Sequence, residues 1–253
     1  MSEQDQLGSI RDRIDDLDDQ IQTLLNARAL AAQEVARIKL ASDPQAVFYR
    51  PEREAQVLRM VKERNTGPLG DEAVARLFRE IMSECLALEL PLKIAYLGPE
   101  GTFTQAAALK HFGHAVATVP LAAISDVFQE VEGGSCHYGV VPVENSTEGV
   151  ISHTLDMFLN SPLKICGEVT LRIHQNLMGT NPELGALKVV YSHQQSLAQC
   201  RGWLDRHLPH VERIPVGSNA EAARRAGESR EAAAIAGTTA ADLYGLQLLA
   251  PNI

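Results

Sequence analysis

Arg28 and Lys39 are the first residues of this chain whose type and spacing could do chemistry. Lying eleven residues apart, or three helical turns, they share one face of a helix about 16 Å apart. Both interrupt an apolar stripe, Arg28 seven residues from Ile21 and from Val35, Lys39 seven from Ala32. Two such cations can grip both ends of a small dianion. The plainer role is also open: the long stems pack while the charged heads reach water. Arg11 lies about 25 Å further back, out of reach within one chain. In an antiparallel pairing of two first helices it meets the partner's pair. A second set of candidates is neutral. Glu144, Asn145, Ser146 and Thr147 follow the apolar run Tyr138–Val143 and precede a helix expected over 150–159. Polar turns recur at Gly98–Thr104, Ser192–Gln194, Ser218–Asn219 and Gly237–Thr239. Each alone reads as a turn or helix cap, with Ser192, Ser218 and Thr238 as the expected caps. Five at the carboxyl edge of a sheet form a crevice whose free N–H groups suit carboxylates.

The elements that position these residues divide near Leu90-Pro91-Leu92. Before it, Leu7, Ile10, Ile14, Leu17, Ile21 and Leu24 recur every three or four residues. Ala31, Val35 and Ile38 prolong the stripe, which predicts one helix of over thirty residues. Amphipathic segments over 52–64 and 71–89 follow, the former opened by Pro51, which suits a first turn. So long a helix with two short partners cannot bury itself, and it calls for a second copy of the chain. After the boundary, strands are expected at Lys93–Leu97, Val140–Val141, Lys188–Tyr191, Ile214–Val216 and Ala234–Ile235, each leading to a helix. That alternation predicts a mostly parallel α/β sheet. Lys164 to Met178 reads as extended chain crossing between two lobes.

Composition narrows the possibilities. The 253 residues carry a formal charge of −9, which argues against nucleic-acid binding. Cys85, Cys136, Cys166 and Cys200 are scattered, without zinc or disulfide spacing, and the histidines show no metal pattern. Gly98-Pro99-Glu100-Gly101 is not a dinucleotide fingerprint, and nothing calls for a cofactor or a metal. The acidic start lacks an apolar signal region, and no apolar run could span a membrane, so a cytoplasmic protein is expected.

Residues 5 to 90 resemble the all-helical chorismate mutases, whose three-helix chains intertwine as dimers. The resemblance implies that Arg28 and Lys39 contact a carboxylate and the ether oxygen of chorismate, with Arg11 donated across the dimer. It assigns Glu52, in Arg50-Pro51-Glu52-Arg53-Glu54, to the substrate hydroxyl. Pro51 stands where an Arg is usual, leaving Arg50 or Arg53 to serve. Glu89 replaces a usual Gln beside the ether oxygen, and Cys85 stands where Ser is common. The plainer alternative is that Glu89 is a solvated residue at a helix end before Pro91. No nucleophile is needed, because a pericyclic step gains from holding the reactive conformer and stabilising charge.

Residues 91 to 253 resemble the prephenate dehydratases. The matching motifs are Gly98-Pro99-Glu100-Gly101-Thr102-Phe103-Thr104, Pro142-Val143-Glu144-Asn145-Ser146-Thr147-Glu148-Gly149 and Tyr191-Ser192-His193 through Gln199-Cys200. The resemblance implies two lobes, like those of periplasmic binding proteins, closing on prephenate. Asn145, Ser192 and Gln199 match catalytic and binding residues, Thr102 and Thr104 the first loop, and Ser146 the binding turn. The two resemblances imply an enzyme of phenylalanine synthesis that makes prephenate and then dehydrates it. In the dehydratases a Thr-Arg-Phe motif and a phenylalanine-sensing ACT domain follow the region matching Leu246 to Ile253. The expectation is a dehydratase half incomplete at its C-terminus and poor in turnover. The competing reading is a dimeric carboxylate-binding module with little turnover.

Overall fold

A computed structural model of the chain describes residues 3–43, 46–145 and 149–253. It forms two compact units. One comprises residues up to Leu92 together with Phe112–Val116, the other Lys93–His111 and Ala117–Ile253.

The first unit is three helices. With no proline to interrupt it, α1 (Glu3–Ser42) runs for 40 residues, about 60 Å. Pro51 opens α2 (Pro51–Arg64), where its missing N–H has no partner to lose. Acidic Glu52 and Glu54 sit in the first turn and basic Lys62 and Arg64 in the last, both favourable to the helix dipole. Helix α3 (Asp71–Glu89) packs against both α1 and α2. It buries Ala75, Ser83 and Cys85, and Ala36 is the buried residue α1 contributes. The apolar stripe of α1 stays open along Ile10, Ile14, Leu17, Ile21 and Leu24, the last 69 % exposed.

The second unit begins with β1 (Lys93–Leu97), α4 (Phe103–Phe112), β2 (Ala117–Leu121), α5 (Ile124–Glu132) and β3 (Tyr138–Val140). Its first sheet is parallel throughout, in the order β2-β1-β3. A small antiparallel hairpin follows, β4 (Glu144–Asn145) with β5 (Gly149–Val150), leading into α6 (Ser152–Asn160). Next come β6 (Asn176–Gly179), β7 (Val189–His193), α7 (Gln194–Gln199), α8 (Arg201–His207) and β8 (Glu212–Val216). The described chain closes with α9 (Asn219–Gly227), β9 (Ala232–Ala236), α10 (Thr238–Tyr244) and β10 (Gln247–Ala250). The second sheet has the order β10-β6-β9-β7-β8.

Strand β9 is the centre of that sheet, and all five of its residues are buried. Ala233 and Ile235 face a cluster with Leu177, Val190, Cys200 and Leu204. Ala234 and Ala236 face the opposite cluster with Met178, Ala222, Ala223 and Ala226. A strand covered on both faces carries no polar alternation, and its small side chains let α9 lie close to the sheet.

The five strands expected from the sequence all have parallel partners, and two further strands add antiparallel pairs to the second sheet. β7 pairs in parallel with β8 and β9, whereas β6 and β10 are antiparallel to their neighbours. Of the segment expected to be extended over 164–178, only Asn176 onward joins a ladder. The strand-to-helix turn expected after Val143 is instead the β4–β5 hairpin. Asn145 pairs with Gly149 and does not cap a helix.

Candidate active sites

In the helical unit, α3 presents Ile81, Cys85 and Glu89 one turn apart on one face. The Ile81 carbonyl accepts from Arg28 Nη1 at 3.5 Å, which draws the guanidinium of α1 onto that face. Lys39 Nζ donates to the Val47 carbonyl at 3.3 Å and lies 5.3 Å from the centre of the Phe48 ring. Both cations are half-buried. Glu89 is half-buried as well. Burial raises its pKa, against the weaker opposing pull of the Lys39 and Arg28 charges. Arg28, Lys39 and Glu89 therefore share one electrostatic environment, with buried Cys85 one turn before Glu89.

Arg11 is exposed, seventeen residues from Arg28 on the same helix, about 25 Å away. Arg50 and Glu52 are exposed at the start of α2, and Arg53 donates to Gln56 Oε1 at 2.6 Å. Two residues on, Glu54 turns inward to Arg79 at 3.6 Å, and burial raises its pKa.

In the α/β unit, a cleft of about 330 Å³ opens at the carboxyl ends of the strands. One wall carries Gly98, Gly101, Thr102, Phe103 and Thr104, and Asn145 from the hairpin. The other carries Gln175, His193, Gln195, Ser196, Gln199 and Asn219. Gly101 has φ +84°, which an L side chain resists, and buried Gln105 Oε1 accepts its N–H at 2.6 Å. Thr102 Oγ1 donates back to the Leu97 carbonyl at 3.2 Å, closing the first loop. A Cβ on Gly237 would stand 2.7 Å from Phe103 Cε1, so only glycine allows that ring its place in the wall.

The second wall is a network of amides and hydroxyls. Asn219 Oδ1 accepts from the His193 N–H at 3.0 Å, and its Nδ2 donates to Ser196 Oγ at 3.0 Å. Ser192 Oγ lies 2.9 Å from Asn219 Oδ1 and 2.8 Å from the Ile235 carbonyl, so one proton is held between two acceptors. Gln175 Nε2 reaches Ser196 Oγ at 3.1 Å and Gln199 Oε1 at 3.2 Å. Gln195 Nε2 donates to Asn145 Oδ1 at 3.4 Å, joining the two walls. His193 Nδ1 accepts from the Gln195 N–H, so the neutral ring carries its proton on Nε2. Among the described residues the lining contains no Asp, Glu, Lys or Arg. The described groups that can meet a ligand's charge there are main-chain N–H, hydroxyl and amide donors and the His193 ring.

Residues 94–253 match the family model for prephenate dehydratase, and residues 10–90 that for chorismate mutase type II. A bifunctional chorismate mutase/prephenate dehydratase of Stutzerimonas stutzeri is 61 % identical over 257 residues, covering all of this chain and 70 % of the relative. The chain belongs to the bifunctional chorismate mutase/prephenate dehydratase family. A relative of the same name from Pseudomonas aeruginosa is 58 % identical, over 100 % of this chain and 70 % of its own. Among solved structures, a prephenate dehydratase from Arthrobacter aurescens in complex with L-Phe superposes with a TM-score of 0.59. It is 33 % identical, and the match covers 64 % of this chain and 55 % of that one.

Of the residues that the mutase resemblance singles out, the fold gathers Arg28, Lys39, Cys85 and Glu89. It leaves Arg11, Arg50 and Glu52 on the surface of a single chain. On the dehydratase side, Thr102, Thr104, Asn145 and Gln199 line the cleft together. Ser192, expected to meet substrate, is fully enclosed behind Asn219. Ser146 lies outside the described residues. Of the expected helix caps, Ser218 accepts from the Glu221 N–H at 3.0 Å. Ser192 instead lies within β7, whose last residue His193 takes the cap of α7, and Gly237 rather than Thr238 precedes α10.

The sequence reading did not single out Gln175, Gln195, Ser196 or Asn219. Gln195 and Ser196 lie inside the quoted Tyr191–Cys200 motif, and Asn219 follows the expected cap. Gln175 had no signal, because only the return of the chain into β6 brings it to the wall.

Proposed function

We infer that this chain is a two-activity enzyme of L-phenylalanine synthesis. As an isomerase it rearranges chorismate to prephenate, and as a lyase it converts prephenate to phenylpyruvate. The observation that carries this reading is the contrast between its two sites. A cationic pair with a half-buried carboxyl lies in the helical unit, and an uncharged cleft rich in donors lies in the α/β unit.

The mutase half is assigned to residues 1–90 and the dehydratase half to 91–253. Chorismate is a dianion whose ether C–O bond breaks as a new C–C bond forms. Arg28 would hold a carboxylate, while Lys39 and protonated Glu89 would meet the ether oxygen as it gains charge. Glu52 would take the substrate hydroxyl and Arg50 or Arg53 a further carboxylate contact, from the open side of the site. Arg11 would come from the partner of a homodimer.

The α1 stripe supports that dimer. Ile10, Ile14, Leu17, Ile21, Leu24, Val35 and Ile38 are each about half exposed or more. Covering them is worth roughly 1 kcal/mol apiece, or about 14 kcal/mol over two chains. That is comparable with an association cost of about 4–15 kcal/mol. A cytoplasmic setting accords with four unpaired cysteines. No helix among the described residues is long and apolar enough to cross a membrane.

In the cleft, Thr102, Thr104, Asn145 and Gln199 would bind prephenate, with Ser192 acting from behind Asn219. The test follows chorismate loss and phenylpyruvate appearance with the same protein. Formation of both products supports the reading, and loss of chorismate without any phenylpyruvate would confine it to the mutase.

The two sites should also respond differently to salt. Raising ionic strength from about 0.01 to 0.5 M should raise the KM for chorismate about threefold or more, because its carboxylates meet full charges. The KM for prephenate should change less than about twofold, since dipoles hold it. Equal salt responses would show that the cleft borrows a cation.

A further inference from the structure

We propose that Ser196 is a substrate-contacting donor, holding the ring hydroxyl of prephenate that departs, with Asn219 as the residue that aims it. The proposal rests on the assignment of the cleft to prephenate.

The His193 main-chain N–H can only donate, so the Asn219 atom 3.0 Å from it is the oxygen. The Asn219 amide N–H group must then face Ser196 Oγ, at 3.0 Å. Gln175 Nε2 approaches the same oxygen from 3.1 Å. Both lone pairs of the hydroxyl are thus taken by N–H donors, and its proton is what remains to give. No acceptor among the described residues takes it. Ser196 is 4 % exposed and lines the cleft, so what little of it is open faces that cleft. On the neighbouring amide, Gln175 Oε1 is buried without a partner.

The Ser196 proton is the group of this cluster left to give, and it suits an oxygen that gains charge as the reaction proceeds. Prephenate carries two carboxylates and one hydroxyl on its ring, and that hydroxyl is the group the reaction expels. The bond from ring carbon to carboxylate breaks, and carbon dioxide leaves. Its electron pair enters the ring, and the C–O bond on the opposite ring carbon breaks. The oxygen departs with that pair as hydroxide and takes its proton from water. Ser196 keeps its own proton throughout, and its hydrogen bond strengthens as charge grows on the leaving oxygen. Ser192 contributes at one remove, through Asn219 Oδ1, in a chain of hydrogen bonds that polarise one another.

The test uses the intact protein with Ser196→Ala, Ser196→Thr, Asn219→Ala and the Ser196→Ala/Asn219→Ala pair. A thermal melt in which both units unfold as in wild type serves as the check that each protein is folded. Ser196→Ala should lower the dehydratase kcat about 100-fold with KM changed only a few-fold, because the bond matters most in the transition state. Ser196→Thr, which keeps the hydroxyl, should stay within about tenfold of wild type. The double variant should be no slower than Ser196→Ala alone, since Asn219 acts through that hydroxyl. A Ser196→Ala kcat within about threefold of wild type would overturn the proposal and leave the dehydratase assignment standing. Additive losses in the double variant would remove Asn219 from its role. A wild-type protein that forms no phenylpyruvate would overturn the assignment of the cleft itself.

Discussion

Replacing Glu89 with Gln should turn a falling pH profile of chorismate rearrangement into a flat one. The ether oxygen gains negative charge as its bond to carbon breaks, so its neighbour must donate a hydrogen bond. Gln donates at every pH, whereas Glu donates only when protonated. Burial raises the pKa of Glu89 and outweighs the lowering effect of Lys39 and Arg28. Two further carboxylates arriving with the substrate push in the same direction as burial. A raised pKa extends the protonated form to higher pH, so the wild-type rate should hold on the acidic side. Above that pKa it should fall about tenfold per pH unit. Two units above it, Glu89→Gln should therefore outrun wild type about 100-fold. The measurement is kcat for chorismate, which reports Glu89 with substrate bound, between about pH 4 and pH 9 for both proteins. Superimposable profiles would place the Glu89 carboxyl outside the reacting geometry.

Arg28→Ala should cost the mutase about 100- to 1,000-fold in kcat/KM, the loss typical of removing one charged donor from a developing anion. The stem of Arg28 packs between α1 and α3, and its Nη1 is already held by the Ile81 carbonyl, so the guanidinium is fixed before substrate arrives. Arg11→Ala should be comparably damaging if the partner's Arg11 completes each site. Mixing the two inactive proteins then makes a distinctive result. A mixed dimer has one site with both arginines and one with neither. With random exchange, half the dimers are mixed and half their sites intact, so about a quarter of wild-type activity should return. Dehydratase activity should be unaffected in either parent. No recovery in dimers shown to be mixed would mean that Arg11 and Arg28 serve the same subunit, or that Arg11 serves none.

Local pattern carried much of this protein into view. Three- and four-residue spacing gave α1 as one long helix and α2 and α3 nearly to the residue, because an amphipathic helix writes its period directly into sequence. Arg28 and Lys39 stood out because a cation in an apolar seam has few reasons to be there. The cleft loops were legible as polar turns after apolar runs, and Thr102, Thr104, Asn145 and Gln199 do meet in one cleft. What sequence could not decide were relations between residues far apart in the chain. Ala232–Ala236 gives no sign of which strands flank it, since a strand buried on both faces has no alternation to read. The antiparallel β6 and β10 follow from how the chain returns, not from their composition. Ser192 read as a helix cap and a substrate contact, yet the Ile235 carbonyl from β9 and Asn219 from α9 enclose it. Gln175, Ser196 and Asn219 come from three separate segments, and each is an unremarkable polar residue by itself. Only the folded sheet sets their donors and acceptors against one another, and the pairing of those groups determines which proton remains for a ligand.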